Sequence, residues 1–135
     1  MSNVTRSNEF VTDTMGLVLW LEQRKFSQTA RAIYESAELG STTIYIPAMV
    51  FAEILYLSEK RRISLTLDQV SNYINRFPHY RETAADLLAT QSAAQITDVP
   101  ELHDRLIAGT ARQLGLVLIS NDPIIQASSF VETVW

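Results

Sequence analysis

The chain has 135 residues, of which 47% are hydrophobic and 19% are charged, and its formal net charge is −4. This composition is typical of one compact domain with a hydrophobic core and excludes an intrinsically disordered chain. The absence of cysteine excludes disulfides and thiolate metal sites, and two histidines are too few for a histidine-rich zinc site. An acidic chain is also not expected to coat DNA or RNA through a broad basic surface, although metal-binding carboxylates would themselves account for several negative charges.

The N-terminal residues 1–8 are predicted to be a polar tail. They lack the apolar stretch of a signal peptide, and no run in the chain is long enough to span a membrane. We therefore expect a cytoplasmic protein with a single domain over residues 1–135 and no membrane partner.

After the tail, short apolar runs alternate with segments in which apolar residues recur at helical spacing. Thr66 is a candidate N-cap, Pro47 suits a first helical position, and Gly40 and Gly115 are stop signals. In chain order the prediction is a strand at 10–12, helices at 17–23 and 29–39, a strand at 42–46, helices at 47–61, 67–75, 81–94 and 102–114, a strand at 116–119 and an edge strand at 131–135. Because strands alternate with helices, this order predicts a parallel α/β sandwich.

Acidic residues lie where an apolar segment ends or a helix begins. A parallel sheet brings the carboxyl ends of its strands to one edge, so these side chains can converge there. Convergent carboxylates repel one another unless a cation lies between them, and oxygen ligands favour Mg²⁺ or Mn²⁺. Such an ion lowers the pKa of a bound water and polarises a phosphate, so the pattern predicts a metal-dependent phosphodiesterase. The four residues are Asp13, Glu53, Asp104 and Asp122.

Each acid also has an ordinary structural explanation. Asp13 and Asp104 could cap helices, Glu53 could face solvent, and Asp122 lies in an Asn-Asp-Pro sequence that is typical of a turn. The hydroxyl of Thr14 could support a ligand at Asp13. The small residues Ala108, Gly109 and Ala111 would let the helix after Asp104 pack closely on the sheet, whereas Glu101 and His103 are expected in a solvated loop or on the surface.

The chain contains one basic run, formed by Lys60, Arg61 and Arg62. Such a run is most often a solvated helix end, where cations also interact favourably with the helix dipole. Beside a metal site the same side chains could instead contact the phosphates of RNA.

About residues 10–122 resemble the PIN domain family, and particularly the VapC-type toxins of bacterial toxin–antitoxin pairs. The strongest similarity is over 102–111, 114–115 and 118–122, which resemble the family's third-acid helix, strand and fourth-acid segment in the same order. Asp13 with Thr14 resembles the first-acid motif, and Glu53 before Ile54 resembles the second. The pair Met15-Gly16 differs from the small residues that are common after the first acid.

The resemblance implies a single-domain, three-layer α/β/α sandwich with a central parallel sheet. It implies an endoribonuclease that depends on Mg²⁺ or Mn²⁺, a homodimer, and inhibition by a cognate antitoxin that inserts a segment near the acidic site. It also implies that Asp13, Glu53, Asp104 and Asp122 bind the metal and act in catalysis, and that Thr14 and Ser120 supply supporting hydroxyl groups.

Other functions are weighed against the same residues. A haloacid-dehalogenase-type phosphatase needs a second Asp two positions after the first, where this chain has Met15. A receiver domain needs paired acids near strand one and a Lys after the last core strand, and neither is present here. A non-catalytic antitoxin-binding or assembly module and a DNA-directed PIN nuclease remain as alternatives.

Overall fold

The computed structural model describes residues 8–135, so residues 1–7 of the predicted polar tail lie outside the described residues. A five-stranded sheet forms the centre of the molecule, and every pair of neighbouring strands is parallel. The strand order is β3-β2-β1-β4-β5. The strands are β1 (Glu9–Thr12), β2 (Thr43–Pro47), β3 (Tyr80–Thr83), β4 (Val117–Ile119) and β5 (Thr133–Val134).

Helices cover the sheet and complete the three-layer α/β/α sandwich, so the predicted fold class is confirmed. Within residues 8–135, no helix combines the length and the apolarity needed to cross a membrane. The helices are α1 (Thr14–Leu21), α2 (Gln28–Glu38), α3 (Ala48–Glu59), α4 (Leu67–Arg76), α5 (Leu87–Ala94), α6 (Leu102–Leu114) and α7 (Pro123–Gln126).

The strand order reverses direction beside β1, and this reversal fixes where a ligand can bind. From β1 the chain moves outward to β2 and β3, and it then returns to place β4 on the other side of β1. Thr12 is aligned with Ile119 across that β1–β4 pair. A crevice forms outside the carboxyl ends of two strands at such a switch point. The residues that follow Thr12 and Ile119 therefore lie at the favoured ligand position.

The core lies on both faces of the sheet and consists mainly of branched aliphatic side chains. Strands β1 and β4 each end in two consecutive buried residues, as expected of parallel strands that are covered by helices on both faces. The largest fully buried side chains include Val11, Leu17, Tyr34, Ile44, Ile46, Ile54, Ile107, Leu118 and Ile119.

Two parts of the predicted element order are wrong. Residues 81–94 do not form one helix, because Tyr80–Thr83 pairs with β2 as an edge strand and Asp86 then caps α5 by accepting a hydrogen bond from the Ala89 amide at 2.9 Å. Strand pairing here overrides the helical preference of the alanine-rich sequence. The prediction also omitted α7, which is a single turn. By contrast, two predicted helix ends are confirmed. Thr66 caps α4 as part of a capping box, and α6 ends at Gly115, whose φ is 70°.

Among the small residues of α6, Gly109 packs against α5, whereas Ala108 and Ala111 are fully buried in the core. A Cβ atom placed on Gly109 would lie 2.7 Å from the backbone nitrogen of Ala93 and 2.8 Å from its Cα. Real Cβ atoms do not come that close to backbone atoms, so glycine is required at this helix crossing despite its low helix propensity. The small residue therefore determines the spacing between the two helices.

We expect Gly109→Ala to lower the free energy of unfolding by about 1–3 kcal/mol, because the obstructing atoms belong to the α5 backbone and cannot rotate away. Urea denaturation measures this change. Gln113→Ala is the control, since Gln113 is an exposed residue of the same helix and its replacement should change stability by no more than ~0.5 kcal/mol. Ala93→Gly should not rescue Gly109→Ala, and wild-type stability of Gly109→Ala would contradict the close approach.

Candidate metal centre

A cleft of about 500 Å³ opens at the carboxyl edge of the sheet, at the β1–β4 switch point. All four acids singled out from the sequence line this one cleft. The residues around it are Asp13, Thr14, Met15, Glu53, Leu57, Asp104, Ile107, Asn121, Asp122 and Pro123. The structure thus brings together carboxylates that are separated by up to about a hundred residues in sequence, as the sheet-edge argument predicted.

Asp13 is 5% exposed and is held from several sides. Its Oδ1 accepts a hydrogen bond from the Gly16 amide at 2.8 Å, which makes Asp13 the N-cap of α1. Its own amide donates to the Ile119 carbonyl at 3.2 Å, so the residue is also tied to β4. The Ser120 side chain hydrogen-bonds the carboxylate as well. Capping and lining the cleft are therefore not alternatives here, because one carboxylate does both.

Thr12 and Tyr34 support Asp13 from the interior of the protein, and neither was identified from the sequence as part of the site. Thr12 is fully buried, its hydroxyl is hydrogen-bonded to the Tyr34 hydroxyl, and it donates to the Asp13 carbonyl at 3.2 Å. A Cβ on Gly16 would lie 2.9 Å from both Asp13 Oδ1 and Thr12 Oγ1. This packing explains why glycine occupies position 16. The sequence feature that could have identified Thr12 is a threonine within a buried strand, since a buried hydroxyl requires a hydrogen-bond partner.

Glu53 and Asp104 reach the cleft from α3 and α6. Oε1 of Glu53 accepts a hydrogen bond from the Thr14 hydroxyl, and the side chain is half-buried in the cleft and does not face open solvent. The amide of Asp104 donates to Glu101 Oε1 at 2.9 Å, so Glu101 is the N-cap of α6. The alternative in which Asp104 caps this helix is wrong. The Asp104 carboxylate is thereby available to the cleft.

Asp122 closes the cleft on the β4 side. Its Oδ1 accepts hydrogen bonds from the Ile124 and Ile125 amides at 2.8 and 3.2 Å and caps α7. Its amide donates to the Ser120 hydroxyl at 3.2 Å. Ser120 therefore contacts both Asp13 and Asp122, and its fully buried hydroxyl links the ends of β1 and β4.

The electrostatics of the cleft are those of crowded anions. Burial raises the pKa of Asp13 from 3.8 to about 6, the charges of Asp122 and Glu53 add to the increase, and the hydrogen bonds from Ser120 and Gly16 oppose it. Burial is also the main reason that the pKa of Asp104 rises to about 6, with further increases from Glu101 and the other acids. A cation would remove this cost. The donor set consists of carboxylate and hydroxyl oxygens, which fits Mg²⁺ or Mn²⁺.

Two residues that sequence reasoning set aside lie next to Glu53. Glu101 and His103 each have a ligand atom within 4.8 Å of one from Glu53 and of each other. His103 Nδ1 is 3.1 Å from Glu101 Oε2, and both side chains are half exposed. Their exposure agrees with the sequence-based expectation. Their proximity to Glu53 could not be predicted, because it depends on how α3 and α6 pack.

The basic run lies outside the acidic cleft. Lys60, Arg61 and Arg62 follow the last residue of α3, Glu59, and none of them lines the cleft. Arg62 instead lines a neighbouring groove that shares Glu53 with it. The structure thus separates the anionic cleft from the cationic side chains while keeping the two adjacent.

We expect Asp13→Asn to stabilise the metal-free protein at pH 7.5 by on the order of 1–3 kcal/mol. The pKa of Asp13 is higher in the folded chain than its usual 3.8, so the stability that a protonated Asp13 confers on the wild type is lost as pH rises through about 6. The advantage of Asn, which still accepts the Gly16 hydrogen bond, should shrink between pH 7.5 and pH 5. Urea denaturation in chelator measures both values.

Asp68→Asn is the control for this pH series, because Asp68 is an exposed carboxyl in the first turn of α4. Its effect on stability should be small and should not change between the two pH values. An Asp13→Asn advantage that is equal at pH 5 and pH 7.5 would contradict the burial argument.

The chain matches the family model described as PIN domain over residues 10–130. No curated protein matches it in sequence. Among solved structures it is similar to VapBC2 from Rickettsia felis bound to a DNA fragment from their promoter, with a TM-score of 0.72, 15% identity and coverage of 94% of this chain and 98% of that chain.

The FitAcB structure from Neisseria gonorrhoeae has a TM-score of 0.68 at 18% identity, with 93% of this chain and 96% of that chain covered. VapC20 from Mycobacterium tuberculosis, described as a sarcin-ricin loop cleaving toxin, has a TM-score of 0.64 at 15% identity, with 91% and 97% covered. At these identities the solved structures establish a shared fold only. The family model covers nearly all of the described residues, and it confirms the resemblance seen in the sequence: the chain belongs to the PIN domain family.

Proposed function

We propose that this chain is a metal-dependent endoribonuclease and the toxin component of a type II toxin–antitoxin pair. The observation that carries the proposal is the convergence of Asp13, Glu53, Asp104 and Asp122 on one cleft, where burial raises the pKa of two of them to about 6. Perturbed carboxylates in a cleft are typical of functional sites. The similarity of the fold to VapC and FitAcB structures supports the same function.

In this proposal the four carboxylates hold Mg²⁺ or Mn²⁺. When bound, such an ion would lower the pKa of a water, polarise the phosphodiester and stabilise the leaving oxygen. Thr14 orients Glu53 through its hydrogen bond, and Ser120 orients Asp13 and Asp122. Leu57 and Ile107 give the cleft apolar walls, which strengthen the electrostatic interactions inside it.

The proposed partners are RNA as substrate, a cognate antitoxin and a second copy of the chain. The structures from Rickettsia felis and Neisseria gonorrhoeae are described as VapBC2 and FitAcB, and the first is bound to promoter DNA. An antitoxin segment with a basic side chain would suit the anionic cleft, because it would neutralise the same carboxylates as the metal. The proposed RNA contacts lie within the basic run at residues 60–62. Cellular RNA as substrate implies a cytoplasmic location.

Two alternatives are tested together with this proposal. A non-catalytic antitoxin-binding or assembly module gains nothing from buried carboxylates that repel one another, so the raised pKa of Asp13 and Asp104 favours an enzyme. A DNA-directed PIN nuclease would use the same metal chemistry, and a DNA substrate in the assay distinguishes it.

We expect the purified protein to cleave a mixed cellular RNA pool with Mg²⁺ or Mn²⁺ and not with chelator. Asp13→Asn and Asp104→Asn should each lower the rate at least ~100-fold, because each removes a charged ligand. The variants should remain folded by circular dichroism. Asp68→Asn, which removes an exposed carboxylate of α4 that does not line the cleft, should retain the wild-type rate.

Wild-type cleavage by Asp104→Asn would sink the assignment, and cleavage of DNA alone would support the DNA-directed alternative. If no metal supports cleavage by the folded protein, calorimetry of Mn²⁺ binding separates a highly selective enzyme, which binds the ion, from a non-catalytic module, which does not.

We expect a homodimer, with a mass by light scattering at micromolar concentration of twice that of one chain. Leu87 and Leu88 at the start of α5 are 71% and 59% exposed, and adjacent exposed leucines are typical of a contact surface. Leu88→Glu should shift the mass to that of a monomer, whereas Asp68→Asn should not. A wild-type monomer would contradict the proposed dimer.

A further inference from the structure

A second groove, of about 620 Å³, adjoins the acidic cleft. Glu53 and Leu57 line both depressions, so they are continuous. The volume of the groove lies within the range of pockets that hold small organic ligands. One face of α3 forms most of the groove, and it is completed by His103 from α6 and by Arg62 from the segment after α3. The α3 residues that line it are Met49, Ala52, Glu53, Tyr56 and Leu57.

Tyr56 is the aromatic residue of this groove, and its side chain is unusually accessible. It is 50% exposed, and the Lys60 Nζ lies 5.8 Å from the centroid of its ring. An exposed tyrosine next to a lysine one turn later is common on helices and by itself indicates only a cation–π contact. Here, however, the ring lines a concave surface that leads to the metal-binding carboxylates. A flat π surface in such a place suits a stacked base.

The turn after α3 directs Arg62 into the groove. Lys60 is the C-cap, and Arg61 has φ 57°, a left-handed conformation that favours glycine and that non-glycine residues rarely adopt. The Arg61 amide donates to the Ser58 carbonyl at 3.0 Å, and the Arg62 amide donates to the Leu57 carbonyl at 2.9 Å. This reversal of the chain is a Schellman-type closure. It brings position 62 back beside Leu57, where an extended continuation would carry it away.

The cations at the groove have no close anionic partner. Within residues 8–135, the ion pairs closer than 4.0 Å join Arg24 to Glu22 and His103 to Glu101, and they include neither Lys60 nor Arg62. In a chain of net charge −4, Lys60 beside the Tyr56 ring and Arg62 in the same groove form a local positive patch next to a strongly negative cleft. That arrangement complements a polyanion in which one backbone phosphate is bound at the metal site and another is bound by the patch.

We propose that this groove is a nucleotide subsite, in which the base beside the scissile phosphate stacks on Tyr56 and the adjoining phosphate is bound by Arg62 and Lys60. The inference rests on the proposed nuclease function and deepens it, because it assigns a site for single-stranded RNA outside the metal ligands. It also distinguishes the members of the basic run: Arg62 and Lys60 contact the substrate, and Arg61 sets the turn. A protein segment in the same groove is the competing occupant.

The test measures the affinity of a fluorescently labelled, mixed-sequence single-stranded RNA by anisotropy. The parent protein carries Asp13→Asn, so that the RNA should stay intact and one repelling charge is removed. Adding Tyr56→Leu should weaken binding about 10-fold, because leucine keeps the apolar contact but loses stacking. Adding Tyr56→Phe should change it less than ~2-fold, since the stacking ring remains.

A matched pair of variants separates a specific phosphate contact from general charge. Arg62→Gln and Arg61→Gly each remove one positive charge from adjacent positions, and glycine suits the left-handed turn at 61. Arg62→Gln should weaken RNA binding about 5-fold, whereas Arg61→Gly should change it less than ~2-fold. In the otherwise wild-type enzyme, Tyr56→Leu should raise KM more than it lowers kcat.

The subsite is overturned if Tyr56→Leu binds RNA as tightly as its parent, or if Arg61→Gly and Arg62→Gln weaken binding equally. If wild-type cleavage persists with either result, the nuclease proposal stands, and the groove is left as a surface for a protein segment. If the wild type neither cleaves nor binds RNA, both proposals fail together.

Discussion

Mutual repulsion among carboxylates at one edge of the sheet is the constraint on which the rest of this molecule depends. The chain holds Asp13 and Asp104 where their pKa rises to about 6, so the folded state tolerates charges that burial disfavours. Its own compensation consists of neutral donors. The Gly16 amide and the Ser120 hydroxyl stabilise Asp13, and the Thr14 hydroxyl stabilises Glu53. This leaves a deficit of positive charge at the centre of the cleft.

The N-termini of helices provide further compensation for the negative charge of the cleft. Asp13 and Asp122 cap α1 and α7, and Asp104 lies in the first turn of α6. Unpaired amides at a helix start favour an anion, most strongly for the longer helices. The position of these starts follows from the sheet, because β1 and β4 end side by side at the switch point. Glu53 is the exception, since it lies inside α3 and depends on the hydroxyl of Thr14 for its orientation.

The sequence was sufficient to predict what depends on local pattern. Asp13 and Asp122 follow apolar strands, and α6 has both a clear apolar stripe and a glycine stop, so the fold class and the set of converging acids could be predicted. Strand β3 could not, because Arg81 and Glu82 are exposed on an edge strand that is held by pairing with β2. The adjacency of Tyr56 and Arg62 was also hidden, since it requires a left-handed arginine where turn rules favour glycine.

The support beneath Asp13 has an evolutionary consequence. The Thr12 hydroxyl is hydrogen-bonded to the Tyr34 hydroxyl, and together with Asp13 Oδ1 it excludes any side chain at position 16. An aliphatic residue at position 12 would leave the buried Tyr34 hydroxyl without this partner. Positions 12 and 34 should therefore covary among homologues, with phenylalanine tending to replace tyrosine wherever position 12 is aliphatic. Divergence around Asp13 would then proceed through linked substitutions, with single changes at these positions selected against.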